Sequence, residues 1–320
     1  MKGIVLERDR AQAADREEFR RAVLNGLSRR PRAIPAKFLY DARGSALFDK
    51  ICDLPEYYLT RTETEILRAH ADDIATLAGK NCGLVEFGSG SSVKSRLLLD
   101  AMDLAFYAPI DISREHLDRS VGRLKKDYPS LAVVAISADY MALEALPDVP
   151  LASRRVGFFP GSSIGNLRPE EAVLFFRKAR ELLGKDGALV LGADLKKDPA
   201  RLHAAYNDSA GVTAAFSLNL LRRMNRELQG SFDLKAFAHE AFYNAEQGRI
   251  EIYLRSLRDQ LVTVAGRTFP FLEGERIHTE YSYKYDEAGL AALAQQGGFK
   301  VAHSWTDPDR LFAVTYLTVT

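Results

Sequence analysis

Between residues 83 and 194, short apolar runs alternate with stretches of helical spacing, and most of the runs are closed by glycine or aspartate. The candidate strands are 83–87, 105–110, 132–136, 156–159 and 188–192. Parallel strands require a long crossover between them, and a helix is the usual crossover. This alternation therefore predicts an α/β fold with a doubly wound, largely parallel sheet.

After Asp194 the alternation stops. The pattern of 198–228 is mainly helical, and 237–254 resembles a hairpin that turns at Gln247-Gly248. A helix and two strands return in the last 35 or so residues. We therefore predict two discontinuous domains: a sheet domain (60–195 plus 286–320) and a mixed α+β substrate domain (1–59 plus 196–285).

Composition restricts the possible partners. The net charge of +1 gives no reason to expect a nucleic-acid surface, and no apolar run approaches the roughly 20 residues that span a bilayer. The two cysteines, Cys52 and Cys82, lie in no metal-ligand pattern and suggest a reducing compartment. We expect a cytoplasmic, monomeric protein that acts on a small molecule and uses no metal.

The first predicted strand runs into Glu86-Phe87-Gly88-Ser89-Gly90. Glycines there allow a ligand to approach the backbone closely. A dinucleotide loop needs a third glycine, and Val93 stands at that position, so an NAD-type loop is incomplete. An acid followed by G-x-G instead resembles the loop of methyltransferases that bind a nucleoside cofactor.

Two further acids close the next strands. Asp111 is placed to accept hydrogen bonds from ribose hydroxyls, and Asp139 is placed to meet an adenine amino group. Each acid alone could be a polar cap at a strand end, but three at consecutive strands beside the glycines favour S-adenosylmethionine. Lys94, in the next helix, is either solvated or near the cofactor carboxylate.

A family resemblance is carried by blocks that span nearly the whole chain. They are KFLYDARGSALFD at 37–49, LPEYYLTRTE at 54–63, the Gly88 loop, GSSIGNL at 161–167, AYND at 205–208, GVTAAF at 211–216 and TEYS at 279–282. The chain resembles the histidine-specific methyltransferases of the ergothioneine pathway, which trimethylate the α-amino group of L-histidine. The resemblance implies a Rossmann-like class I methyltransferase sheet domain and S-adenosylmethionine as cofactor.

The resemblance also implies roles for residues. Those expected to contact the cofactor are Gly88, Lys94, Asp111, Asp139 and Tyr140. Those expected to form the amino-acid pocket are Tyr40, Tyr57, Gly161, Asn166, Tyr206, Thr213, Ile252, Glu280 and Ser282, with Tyr40 and Asn166 as the catalytic pair.

The chemistry of these side chains suits an amino-acid acceptor. Asn166 carries a donor and an acceptor, so it can bridge an amine and a carboxylate, and Tyr40 can orient the amine. Glu280 and Ser282 are two apart on a predicted strand and so point to one face, where a carboxylate and a hydroxyl suit an imidazole. Sequence alone favours an exposed strand carboxylate for Glu280, and the family resemblance reverses that preference.

Ile252 departs from the family pattern, because the characterised histidine enzymes have methionine at this position of the side-chain pocket. Another aromatic or modified amino acid therefore stays open as the acceptor. A non-catalytic, regulatory S-adenosylmethionine-binding protein and an NAD-dependent oxidoreductase are the alternatives from other classes.

Overall fold

The computed structural model describes residues 2–89 and 93–320. The helices are α1 (Lys2–Ser28), α2 (Ala42–Cys52), α3 (Tyr58–Ala78), α4 (Val93–Ala101), α5 (Arg114–Asp127), α6 (Pro169–Leu183), α7 (Pro199–Tyr206), α8 (Val212–Leu228) and α9 (Glu287–Gln296). Short 3-10 helices occupy Ala36–Leu39, Ser163–Asn166 and Leu234–Ala236. In these residues, no helix is long and apolar enough to cross a membrane.

The strands fall into three sheets. They are β1 (Arg32–Ala33), β2 (Cys82–Phe87), β3 (Leu104–Asp111), β4 (Ile136–Ser137), β5 (Arg155–Phe159), β6 (Ala188–Asp194), β7 (Phe237–Asn244), β8 (Arg249–Ser256), β9 (Gln260–Val264), β10 (Arg267–Phe271), β11 (Arg276–Tyr283), β12 (Phe299–Thr306) and β13 (Phe312–Val319).

The largest sheet has seven strands in the order β12-β13-β6-β5-β2-β3-β4. Strands β2 to β6 pair in parallel, whereas β13 enters antiparallel between β6 and β12. Every residue of β2 and β6 is buried, as strands covered on both faces require. The predicted doubly wound α/β sheet is confirmed. Its strand order reverses between β2 and β5, which is where open α/β sheets bind ligands.

The chain divides into two compact units. The sheet unit comprises Cys52–Leu202, Asn244–Ile250 and Tyr281–Thr320, and the second unit comprises Met1–Ile51, His203–Tyr243 and Glu251–Glu280. The boundaries differ from the two domains predicted from sequence: Tyr57 and Ser282, expected in the substrate domain, belong to the sheet unit.

Each unit has an aromatic core of its own. In the sheet unit, Phe87, Phe159 and Phe175 are almost fully buried, and the rings of Phe159 and Phe175 stack at 4.1 Å. In the second unit, Phe237 meets Phe271 edge to face at 5.4 Å. These contacts fix the frame on which the polar residues described below are held.

The edge of the large sheet is where the sequence prediction was partly wrong. A strand was expected over 132–136, but β4 comprises only Ile136–Ser137, with an isolated bridge between Tyr107 and Val133. Residues 131–134 are half-buried, because an edge strand is paired on one side only. The hairpin was predicted correctly: β7 and β8 are neighbours, and Gly248 has a φ of 63° in the turn.

Candidate active site

The loop after β2 is bound to the end of β3. The amides of Gly88 and Ser89 both donate to the carbonyl oxygen of Ile110, at 2.8 and 3.2 Å. Gly88 has a φ of 79°, and a Cβ placed on it would meet no described atom within 4 Å. The backbone thus bends beside open space, as close approach of a ligand requires. Gly90, the second glycine of the motif, lies outside the described residues.

Asp111 and Asp139 lie at the same edge of the sheet. Oδ1 of Asp111 accepts from the amide of Ser113 at 2.7 Å, and Oδ1 of Asp139 accepts from the amide of Met141 at 2.9 Å. The amide of Ala138 donates to the Asp111 carbonyl at 3.1 Å, which joins the two segments. Both carboxylates therefore do cap local turns, but an ionised carboxylate accepts several hydrogen bonds and can serve a ligand as well.

Tyr140 forms an aromatic wall beside these carboxylates. Its ring meets those of Phe87, Phe159 and Phe175 edge to face, with centroids 5.7 to 5.9 Å apart. Burial first, and the neighbouring Asp139 second, raise the pKa of the Tyr140 hydroxyl well above its usual value. A neutral phenol on an apolar wall suits the flat face of a base rather than a charged group.

Lys94 makes an ion pair that sequence reasoning missed. Its ammonium contacts the carboxylate of Glu63, whose side chain is 0% exposed. The same carboxylate accepts from the amide of Gly161, with N–O distances of 2.8 and 3.0 Å. The pattern of 62–77 alone predicts a helix that begins at Thr62, with Glu63 in its first turn. Since α3 begins at Tyr58, Glu63 instead points inward, one turn later.

A second polar group, the Asp194 cluster, lies at the end of β6 and comprises Tyr58, Asp194, Lys197, Ser282 and Lys284. The Tyr58 hydroxyl donates to Asp194 at 2.9 Å, and the carboxylate pairs with the ammonium groups of Lys197 and Lys284. Lys284 also donates to the Ser282 hydroxyl at 2.8 Å. Burial lowers the pKa of Lys197 to about 8, although Asp194 opposes that shift.

The loop after β5 rests on β11. A Cβ at Gly165 would lie 2.7 Å from the Tyr283 carbonyl oxygen, so only glycine permits this approach. Nδ2 of Asn166 donates to the Tyr281 carbonyl at 2.8 Å, which fixes the orientation of the side-chain amide. Within the sheet unit, the structure therefore brings Asn166 beside the strand segment that carries Ser282. Tyr57, 7% exposed, immediately precedes α3 in the same unit.

Five predicted pocket residues belong to the second unit: Tyr40, Tyr206, Thr213, Ile252 and Glu280. The ring of Tyr40 lies between Phe48 and Phe216, at 5.5 and 5.3 Å. Ile252 is 3% exposed on β8, and Glu280 is half-buried on β11, the strand predicted for it.

The backbone positions of Tyr206 and Thr213 depend on two residues that the pattern did not single out. Nε2 of His239 lies 2.9 Å from the Tyr206 carbonyl, and Nδ1 lies 2.9 Å from the Ser217 hydroxyl. Burial lowers the pKa of His239, which favours the neutral ring that donates at Nε2 and accepts at Nδ1. Asp208 accepts from the amide of Thr213, in the first turn of α8, at 2.8 Å.

Glu86 precedes the Gly88 loop, but its side chain faces the interior. Its carboxyl accepts from the Ser95 hydroxyl at 2.7 and 2.8 Å and from the hydroxyl of Tyr107. Burial outweighs these bonds and raises the pKa of Glu86 to about 8. The group is therefore largely protonated at neutral pH and serves as a neutral link between β2, β3 and α4.

A Glu86→Gln variant should show this protonation as a pH-dependent stability difference. Between about pH 4.5 and about pH 8, the unfolded chain has released the Glu86 proton but the folded chain retains it, so wild-type stability falls as pH rises. Urea denaturation midpoints should show that the stability of the variant relative to the wild type is higher at about pH 8 than at about pH 5. The exposed Glu65→Gln is the control, and a pH-independent difference would contradict the assignment.

The strand order, with β13 inserted antiparallel, and the glycine and carboxylates at the ends of β2, β3 and β4 define the Rossmann-like methyltransferase class. Residues 19–319 match the family model "Histidine-specific methyltransferase, SAM-dependent". The chain therefore belongs to this family and is an S-adenosylmethionine-dependent methyltransferase. The family resemblance predicted from sequence is confirmed.

Two actinobacterial relatives named histidine N-alpha-methyltransferase match most of the chain. The protein of Mycolicibacterium smegmatis is 42% identical over 91% of this chain and 92% of its own length. That of Mycobacterium tuberculosis is 40% identical over 90% and 91%. "Ergothioneine biosynthesis protein 1" of Neurospora crassa is 32% identical over 86% of this chain, which corresponds to 32% of that longer protein.

The residues at the carboxyl edge fit S-adenosylmethionine. A Cβ at Gly88 would meet no described atom within 4 Å, and Asp111 and Asp139 each supply a carboxylate acceptor at the ends of neighbouring strands. Tyr140 supplies an apolar wall. These residues thus match a nucleoside with a flat base. The loop lacks the third glycine that a dinucleotide needs.

Proposed function

We propose that the enzyme methylates the α-amino nitrogen of L-histidine three times, giving hercynine, as a step in ergothioneine biosynthesis. The observation that carries the proposal is the attachment of Asn166 to the main chain of β11 beside Ser282. This bond supports an acceptor site in which the Asn166 amide binds the amine of the amino acid and residues of β11 contact its side chain. Membership of the histidine-specific family supports the same acceptor.

We further propose that Gly88, Lys94, Asp111, Asp139 and Tyr140 hold the cofactor. The acceptor would be held by Tyr40, Tyr57, Gly161, Asn166, Tyr206, Thr213, Ile252, Glu280 and Ser282. When bound, S-adenosylmethionine supplies an electrophilic methyl group on its sulfonium sulfur. The chain has to present a neutral amine behind that methyl carbon, so positioning is the main catalytic contribution.

Tyr40 and Asn166 are the residues that we assign to the amine. The amide oxygen of Asn166 accepts from the amine, and Tyr40 helps to aim the lone pair. Each transfer would form a C–N bond as the methyl–sulfur bond breaks, and S-adenosylhomocysteine would leave. The nitrogen would then carry a positive charge, so it has to lose a proton to solvent before the next transfer. After the third transfer no N–H remains, and the reaction stops because the nitrogen has no lone pair.

The experiment is an amino-acid panel with S-adenosylmethionine and mass detection of products 14, 28 and 42 units heavier. Histidine should give all three species, with the trimethylated product accumulating. Absence of any product from histidine, with product from another aromatic or modified amino acid, would replace the acceptor. Cofactor binding with no product from any amino acid would favour a regulatory protein instead.

Size-exclusion chromatography tests the monomer that we propose, and subcellular fractionation tests the cytoplasmic location.

Glu280→Ala should lower kcat/KM for histidine about tenfold to a hundredfold, the usual range for loss of a hydrogen bond to a charged group. Binding of S-adenosylmethionine, measured by calorimetry, should change by less than threefold or so. The exposed Glu273→Ala, also in the second unit, is the matched control. Equal losses of histidine and cofactor binding would contradict an acceptor role for Glu280.

A further inference from the structure

Glu63 makes contacts that assign it a role in the reaction beyond helix stability. Its carboxylate is completely buried, and the sheet leaves room for it. A Cβ at Gly192 of β6 would lie 2.0 Å from Oε1 of Glu63, so this position of the strand has to be glycine. Burying a carboxylate costs several kcal/mol unless it is paired and hydrogen-bonded. The partners that offset this cost for Glu63 therefore indicate which parts of the molecule it holds in place.

Those contacts are one cation and one amide. Lys94, on α4, pairs with the carboxylate and is 16% exposed, while the amide of Gly161 donates to both carboxylate oxygens. A Cβ at Gly161 would lie 3.7 Å from Nζ of Lys94, so the ammonium sits directly beside this loop. Residues from α3, α4 and the loop after β5 therefore converge on one carboxylate within the sheet unit.

The two partners of Glu63 belong to different parts of the proposed site: Lys94 to the cofactor part and Gly161 to the acceptor part. Lys94 is the residue proposed for the cofactor carboxylate, and an ammonium has three N–H donors, so it can serve Glu63 and a ligand together. Gly161, with a φ of 76°, starts the loop that ends in Asn166. Fixing Gly161 thus fixes the start of the segment that presents the amide.

We propose that Glu63 is a positioning residue shared by the methyl-donor and acceptor parts of the active site. It holds the Lys94 ammonium toward the cofactor and holds the Gly161 amide at the start of the acceptor loop. This inference rests on the proposed function for its acceptor half only. The cofactor half can be measured without any amino acid.

The test is Glu63→Gln, which keeps the shape of the side chain but removes its charge. We expect affinity for S-adenosylmethionine, measured by calorimetry, to fall about tenfold to a hundredfold, because the charge-assisted bond to Lys94 is lost. The kcat/KM for histidine should fall at saturating cofactor as well, while thermal melting still shows a cooperative fold. Glu65→Gln, on the exposed face of the same helix, should behave as wild type.

A double-mutant cycle with Lys94→Met separates positioning from general stability. If Glu63 acts on the cofactor through Lys94, Glu63→Gln/Lys94→Met should lose no more cofactor affinity than Lys94→Met alone. The double variant removes both charges of the pair, so we expect it to fold even where a single variant does not. Additive losses would overturn the proposal, as would wild-type cofactor affinity and kcat/KM in Glu63→Gln. If histidine gives no product in the amino-acid panel but the double-mutant cycle behaves as expected, histidine is rejected as the acceptor. The role of Glu63 in cofactor binding is then still supported.

Discussion

Asp194→Asn is expected to lower the free energy of unfolding by about 3–5 kcal/mol, the cost of removing one partner from a buried ion pair. The carboxylate is the counterion of Lys197 and Lys284, which are 6% and 0% exposed. Without it, two ammonium groups remain buried. Urea denaturation at neutral pH measures the loss.

Two comparisons make the Asp194 result specific. The exposed Asp186→Asn, just before β6, should change stability by less than about 0.5 kcal/mol. Lys284→Met should cost less than Asp194→Asn, because Asp194 then still has Lys197 as its counterion. The deficit of Asp194→Asn should shrink at about pH 9, where Lys197, whose pKa is lowered to about 8, is largely neutral. A loss below about 1 kcal/mol at neutral pH would show that the Asp194 cluster does not stabilise the fold.

Asn166→Ala is expected to lower kcat/KM for histidine about a hundredfold or more, the order of effect that misplacement of a reacting group produces. The substitution removes the amide that we propose for binding the acceptor, and it removes the bond that attaches the loop to the Tyr281 carbonyl. Steady-state kinetics with saturating S-adenosylmethionine measures the effect.

Cofactor affinity provides the internal control for Asn166. It should stay within about threefold of wild type, because Gly88, Asp111 and Asp139 are untouched. The exposed Glu170→Gln, at the start of the helix that follows the loop, should keep wild-type kinetics. A variant that binds histidine normally and turns over at the wild-type rate would exclude Asn166 from the acceptor site.

The fold class was predictable because its signal is local. Apolar periodicity within 83–87 and 188–192 is set by neighbours in the chain, and β2 and β6 appear at these positions. Local signals also predict a helix over 169–183, because proline stands at its start and Gly184 after its end, and α6 occupies these residues. The bounds of the edge strand β4 were not predictable in this way, because β4 pairs on one side only and comprises just Ile136–Ser137, at the end of the apolar run 132–136.

The Gly88 loop and Asp111 could likewise be found from sequence, because each follows its strand directly. By themselves they gave a nucleoside-binding edge, and the blocks of family resemblance, from 37–49 to 279–282, added the acceptor. Glu86, by contrast, could be read only as an acid near a loop. Its partners Ser95 and Tyr107, and hence its raised pKa, depend on packing between three elements.

The sequence by itself determined the order of strands and helices, the glycine and carboxylates at the strand ends, and the family. Only the tertiary structure decided that Lys94 pairs with Glu63 and that Tyr58, Lys197 and Lys284 meet at Asp194. The contacts of Glu63 bridge 31 and 98 positions, and that of Tyr58 with Asp194 bridges 136. Apolar periodicity relates only residues that are close in sequence, so it cannot pair residues this far apart. Whether their charges are buried depends on how the whole chain folds.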